Sequence, residues 1–179
     1  MKQLLVTVGT TEFDDLIRAL DCEAFVSYVQ AQGFTDVVFQ IGRGEYEPGS
    51  VCLGVPGRVQ SAPGFGFSWF RFVPNLSKLL SDSHTVISHC GAGTILEVLE
   101  SGAELVVAVN ESLMGNHQME LADALSKEGQ CQVIFPATAC AALMHMREVA
   151  APGLRKRRDV DAYLFPQLVD EACGFQGAD

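Results

Sequence analysis

The chain has 179 residues, of which 48% are hydrophobic and 19% charged. That is the length of one compact domain with enough apolar material for a full core, which excludes both two full domains and an intrinsically disordered chain. Twelve Lys and Arg against 22 Asp and Glu leave a formal net charge of −10, the wrong sign for an extended nucleic-acid footprint, so neither DNA nor RNA is expected as a partner.

From the N-terminus, Lys2 to Val8 reads as a strand ending in Gly9-Thr10-Thr11, and Phe13, Leu16, Ile17 and Leu20 then recur at helical spacing. A second helix runs through Ala24 to Gln32 and stops at Gly33. Asp36 to Ile41 is a continuous apolar run suited to a buried parallel strand, closed by Gly42-Arg43-Gly44. Glu45 to Gly66 is rich in Gly and Pro and resists assignment beyond one short strand near Val51 to Val55. There follow a strand Phe67 to Val73, a helix Asn75 to Leu80, a strand Thr85 to Ser88, a helix Gly93 to Leu99 and a strand Leu105 to Val109. A polar loop, Asn110 to Asn116, leads to a helix His117 to Lys127, a strand Cys131 to Phe135 and a helix Ala137 to Val149. Pro152 breaks that helix, Arg155-Lys156-Arg157-Arg158 forms a basic cluster, and Asp159 to Cys173 reads as a terminal helix interrupted or restarted near Pro166. The alternation predicts an α/β fold: a single Rossmann-like domain over residues 1–150, with a mainly parallel sheet and helices on both faces, then a C-terminal helical segment over 151–179.

Apolar runs such as Leu105 to Val109 fall far short of the roughly 20 residues of a bilayer span. Met1 to Val6 lacks the long apolar region of a signal peptide, so the chain is expected in the cytosol. Six cysteines lie far apart without a C-x-x-C pair, which fits reduced, mostly buried thiols better than a zinc site or a disulfide framework.

In an open parallel sheet, ligands bind outside the carboxyl ends of the strands, which directs attention to four loops. Gly9-Thr10-Thr11 at a helix entry suits an anion, and equally suits an ordinary Thr-capped turn. Ser88-His89-Cys90-Gly91-Ala92-Gly93-Thr94 lies between a strand and a helix and continues to Glu97. Its two glycines admit close approach of phosphates, and Thr94 can cap the helix or meet a phosphate oxygen. It is neither a dinucleotide fingerprint, because Leu96 stands where a third small residue is required, nor a Walker loop. The loop from Asn110 to Gln118 carries six polar side chains suited to sugar hydroxyls, with helix capping by Asn116 as the plainer alternative. In the turn after Gln40, Arg43 either faces a diphosphate or is simply solvated.

Val6-Thr7-Val8-Gly9-Thr10-Thr11, Gln40-Ile41-Gly42-Arg43, the Ser88 to Thr94 loop and the Asn110 to Gln118 loop together resemble, in order and spacing, the donor-binding C-terminal half of a GT-B glycosyltransferase of family 28. Within it the similarity is to the catalytic subunits that add the second N-acetylglucosamine to dolichyl diphosphate. It spans about residues 1 to 150 and departs from the family at Cys90, usually Ala, and Thr94, often Ser.

The resemblance implies that Gly9, Thr10, Gly91, Ala92, Gly93 and Thr94 hold the diphosphate of UDP-GlcNAc, that backbone near Phe72 and Val73 meets uracil, and that Glu97 binds the ribose. It turns Asn116, His117 and Gln118 toward the donor sugar, with His117 the candidate general base; His89 is placed with the donor-binding residues, as a packed histidine supporting its loop rather than a proton carrier. It implies an in-line displacement with inversion, giving a β1,4 product, with no metal and no cofactor. A membrane-anchored acceptor-binding subunit would complete a heterodimer at the cytosolic face of the endoplasmic reticulum and present a lipid-diphosphate acceptor. Val160, Tyr163, Leu164, Leu168 and Val169 are candidates for docking onto that partner or onto their own domain, and Arg155 to Arg158 for anionic headgroups or for solvent. The alternatives are a non-catalytic sugar-nucleotide-binding or regulatory module and an NAD-dependent oxidoreductase, the latter lacking its fingerprint.

Overall fold

The computed structural model describes residues 1–49, 57–62, 64–111 and 117–146. Strands β1 (Gln3–Thr7), β2 (Asp36–Gln40), β3 (Gly57–Ala62), β4 (Phe65–Phe70), β5 (Thr85–His89), β6 (Glu104–Ala108) and β7 (Gln132–Ile134) form one sheet. Their order is β3-β4-β2-β1-β5-β6-β7, and every pairing is parallel except the β3–β4 hairpin. Central β1 sets the register, with Leu5 beside Val38 on one flank and Val86 on the other.

Side chains alternate across a strand, so β1 sends Leu4 and Val6 to one face and Leu5 to the other. On the first face, α1 (Asp14–Leu20), α2 (Glu23–Ala31) and α6 (Ala139–Met146) bury Leu16, Ile17, Leu20, Phe25, Val29 and Leu143. There Phe39 packs edge-on against Phe67, ring centres 4.9 Å apart. On the second, α3 (Leu76–Asp82), α4 (Ala92–Ser101) and α5 (His117–Lys127) bury Leu80, Ile95, Val98, Leu121 and Leu125 against Leu5, Val86, Leu105 and Val107. Each such side chain contributes about 1.5–3 kcal/mol relative to exposure. The expected α/β domain with helices on both faces is therefore what the chain forms.

Three segments differ from their sequence reading. The Gly- and Pro-rich stretch holds an antiparallel edge strand, β3, while the strand expected at Val51 to Val55 lies outside the described residues. β4 stops at Phe70 rather than Val73. Ile41 and Gly42 still donate to the carbonyls of Phe70 and Arg71, but Gly42, at φ +57, turns away and leaves Phe72 and Val73 without a strand partner. The last helix starts at Ala139, after a 3₁₀ turn at Pro136–Thr138. The basic cluster and terminal helix expected beyond Pro152 lie outside the described residues.

Candidate functional site

The sheet reverses direction at β1, whose successor β2 lies on one side and β5 on the other. Loops leaving the carboxyl ends of these strands diverge to opposite faces and open a crevice between them. A cleft of about 330 Å³ occupies it, lined by Gly9, Thr10, Gln40, Phe72, Val73, Leu76, His89, Gly91, Ala92, Gly93, Thr94 and Glu97.

The floor is the N-terminus of α4. Gly91 is its N-cap, no side chain caps it, and the first helical hydrogen bond is Ile95 N–H to Gly91 carbonyl at 2.9 Å. The backbone N–H groups of Ala92, Gly93 and Thr94 thus have no partner within the helix, and the helix dipole adds about half a positive charge there. Thr94 sits in the first turn of α4 and lines the cleft rather than capping the helix.

His89, the last residue of β5, is buried at 8% exposure and wedged between two glycines. A Cβ at Gly9 would lie 2.6 Å from His89 Cε1, and one at Gly91 would overlap His89 Nε2. Both glycines therefore make room for the imidazole, a packing role beyond the phosphate approach expected from sequence. Burial holds the His89 pKa below its ordinary value, partly offset by the nearby Thr7 carbonyl; Nδ1 itself makes no hydrogen bond. Gly93 differs, because a Cβ there would meet nothing within 4 Å.

Gln40 fastens the loops. Buried at the end of β2, its Nε2 donates to the carbonyls of Gly9 (2.6 Å) and Arg71 (2.7 Å), and its Oε1 accepts from the Thr7 hydroxyl (2.5 Å). One amide thereby ties the β1 loop to the segment carrying Phe72 and Val73. Across the cleft, exposed Glu97 on α4 accepts from Ser77 Oγ of α3 at 3.4 Å.

Residues 3–145 match the glycosyltransferase family 28 C-terminal domain. The chain belongs to this family. It is 43% identical over 129 residues to the mouse UDP-N-acetylglucosamine transferase subunit ALG13, covering 72% of the chain and 10% of that relative. It is 32% identical over 201 residues to the ALG13 subunit of Cryptococcus neoformans var. neoformans, covering 96% of each. The chain thus spans about a tenth of the mouse protein and nearly all of the fungal one. Among solved structures, an NMR structure of ALG13 superposes with a TM-score of 0.66 at 25% identity, over 94% of both chains. Acinetobacter baumannii MurG superposes with a TM-score of 0.60 at 18% identity, over 95% of this chain and 44% of MurG, a likeness of fold. The fold is that of the GT-B glycosyltransferases.

Within this family 28 domain, the cleft gathers Gly9, Thr10, Phe72, Val73, His89, Gly91, Ala92, Gly93, Thr94 and Glu97 from the sequence expectation. Thr11 and Arg43 stay outside it. The Thr11 hydroxyl donates to the Val8 carbonyl at 2.7 Å, its own carbonyl accepts the Arg43 N–H at 3.0 Å, and the Arg43 side chain is exposed. Gln118 also lies off the lining; its Oε1 accepts the Asn110 N–H at 3.3 Å and its carbonyl accepts the Cys90 thiol at 3.1 Å. His117 opens α5, but its side chain, like all of Asn116, lies outside what is described.

Sequence reasoning placed Gln40 at the start of a candidate turn without giving it a role and missed Leu76; both line the cleft. An amide at the end of an otherwise apolar buried strand was the available signal, since such a group must be satisfied by neighbouring loops. Among the described residues, no three His, Cys, Asp or Glu side chains gather as metal ligands, and no helix is long and apolar enough to cross a membrane. The sequence contains an Asp-x-Asp triplet, Asp159-Val160-Asp161, outside the described residues.

Proposed function

We propose that the chain is the donor-binding catalytic subunit of a two-subunit inverting N-acetylglucosaminyltransferase. It would move GlcNAc from UDP-GlcNAc to O4 of GlcNAc-diphosphodolichol, forming a β1,4 linkage. The observation that carries this reading is the set of three uncommitted backbone N–H groups at the start of α4, beside open space at Gly93 and facing the cleft at the switch point. Names of the relatives, UDP-N-acetylglucosamine transferase subunits, supply the donor and the need for a partner.

In this reading the diphosphate sits on the α4 N-terminus, Glu97 takes the ribose hydroxyls, and Phe72, Val73 and Leu76 form an apolar wall for uracil. Attack by the acceptor O4 from the face opposite the departing UDP inverts the anomeric carbon. Charge that develops on the leaving diphosphate meets donors already oriented toward it, the preorganised stabilisation that lowers such barriers. No metal or cofactor is required for that step. His117, at the start of α5, is the candidate base for the O4 proton.

A membrane-anchored partner at the cytosolic face of the endoplasmic reticulum would supply the acceptor half. The deciding experiment incubates the purified chain with UDP-GlcNAc and GlcNAc-diphosphate lipid, with and without membranes carrying the partner, in buffer with and without EDTA. Chitobiosyl lipid should form only with both proteins present and should persist in EDTA. Retention of UDP-GlcNAc without turnover by the assembled pair would instead establish a binding or regulatory module.

A further inference from the structure

Cys22 and Cys140 are 118 residues apart in sequence, yet their sulfurs lie 3.7 Å from each other. Cys22 is the N-cap of α2, and Cys140 is in the first turn of α6. Both are free and only half-buried at the rim of the first core cluster, whereas Cys90 and Cys131 are buried, their thiols pushed up to about 12, chiefly by burial. The Cys22 side chain makes no cap bond to α2, and its other polar contact is a 3.7 Å approach to the Ala19 carbonyl. A disulfide requires sulfurs about 2.05 Å apart, so closure asks the two sulfurs, now 3.7 Å apart, to approach by under about 2 Å.

We propose that Cys22 and Cys140 form a reversible disulfide by exchange with a low-molecular-weight disulfide such as oxidised glutathione, stapling α6 to the start of α2. In the first step the Cys22 thiolate attacks one sulfur of RSSR, giving Cys22–S–S–R and releasing RS⁻. In the second the Cys140 thiolate attacks the Cys22 sulfur, forms the protein disulfide and expels another RS⁻. Two protein thiols are oxidised, one small disulfide is reduced to two thiols, and the protons pass to the released thiolates.

Burial, then the neighbouring Cys22, push the Cys140 thiol up to about 11. Once Cys22 carries the mixed disulfide it no longer opposes ionisation of Cys140, and the second step becomes easier. The staple would bear on the cleft indirectly, because α6 packs on α1, the helix that follows the Gly9–Thr10 loop.

The test treats the full-length chain with excess oxidised glutathione, removes the reagent, and maps the product by intact mass and peptide mass spectrometry. The expected result is loss of two hydrogens, a dithiothreitol-sensitive peptide joining Cys22 to Cys140, and a thermal midpoint raised by about 10 °C or more, as closure of a long loop predicts. Cys140→Ser should end instead with one glutathione on Cys22. Recovery of Cys22 and Cys140 as unlinked thiols, a glutathione adduct persisting at Cys22 of the unmutated chain, or linkage of either cysteine to Cys52 or Cys173 would overturn the proposal. The linkage is read in the unmutated protein, so the result does not depend on a variant folding.

Discussion

A Cβ at Gly91 would overlap the His89 ring, whereas one at Gly93 would meet only open space. Stability and binding should therefore separate at two neighbouring glycines. Gly91→Ala should cost about 2 kcal/mol, of the order of overpacking a filled site, and part of that cost should vanish in a His89→Ala background, where the ring is gone. Gly93→Ala, within the first turn of α4, should leave stability unchanged or raise it by up to about 1 kcal/mol while weakening UDP binding tenfold or more. Urea denaturation and calorimetric titration of the four variants decide this; equal stability losses at both glycines would dismiss it. His89 also predicts a pH dependence. Its native pKa is held below 6.5 by burial, so the unfolded chain takes up a proton first as pH falls. Stability from this group is fully present above about pH 6.5 and is lost as pH falls toward the native value. His89→Gln should flatten the stability profile below about pH 6.5; parallel slopes for the two proteins would show that some other group governs it.

At the scale of elements, α3 and α4 meet at the cleft wall, and the start of α3 is fixed by Asn75, whose Oδ1 accepts the Lys78 N–H at 3.1 Å. Asn75→Ala should cost about 1 kcal/mol, and because the same turn carries Leu76 and the Ser77 partner of Glu97, UDP affinity should fall several-fold. Asn75→Asp, which keeps the cap, should retain both; a binding loss equal to that of the alanine variant would exclude the cap as its cause. Helices α1, α2 and α5 and strands β1, β2 and β6 were legible because their apolar residues recur at 3.6 or run uninterrupted through a sheet buried on both faces. β3 was illegible because Gly57-Arg58-Val59-Gln60-Ser61-Ala62, flanked by Pro56 and Pro63, is an edge strand, and an edge needs no continuous apolar run. β4 was read too long because Phe72 and Val73 are apolar yet exposed at 54% and 37%, on the cleft rather than in the core. The glycine loops announced most of the site, whereas the clamp made by Gln40 depends on Thr7, Gly9 and Arg71, neighbours only in the folded chain.

Among the described residues the cleft is lined from the carboxyl-end loops of β1, β2, β4 and β5 and from helices α3 and α4. Among the described residues, both buried clusters are built between Leu4 and Leu143, and the cleft lining ends at Glu97. Residues 147–179 lie outside the described residues, and the two expectations for them, docking on a partner or packing on their own domain, are separated by truncation. A chain truncated after Met146 should fold, with a thermal midpoint within about 3 °C of the full chain, because a shift of that size corresponds to only about 1 kcal/mol in a domain of this length. It should bind UDP with unchanged affinity, since every lining residue among those described is retained. Transfer to the lipid acceptor in partner-bearing membranes should fall at least tenfold, and co-sedimentation with those membranes should fall with it. Transfer at full rate by the truncated chain would move the docking surface onto the Rossmann-like body. Collapse of the midpoint would instead assign residues 147–179 to the fold itself.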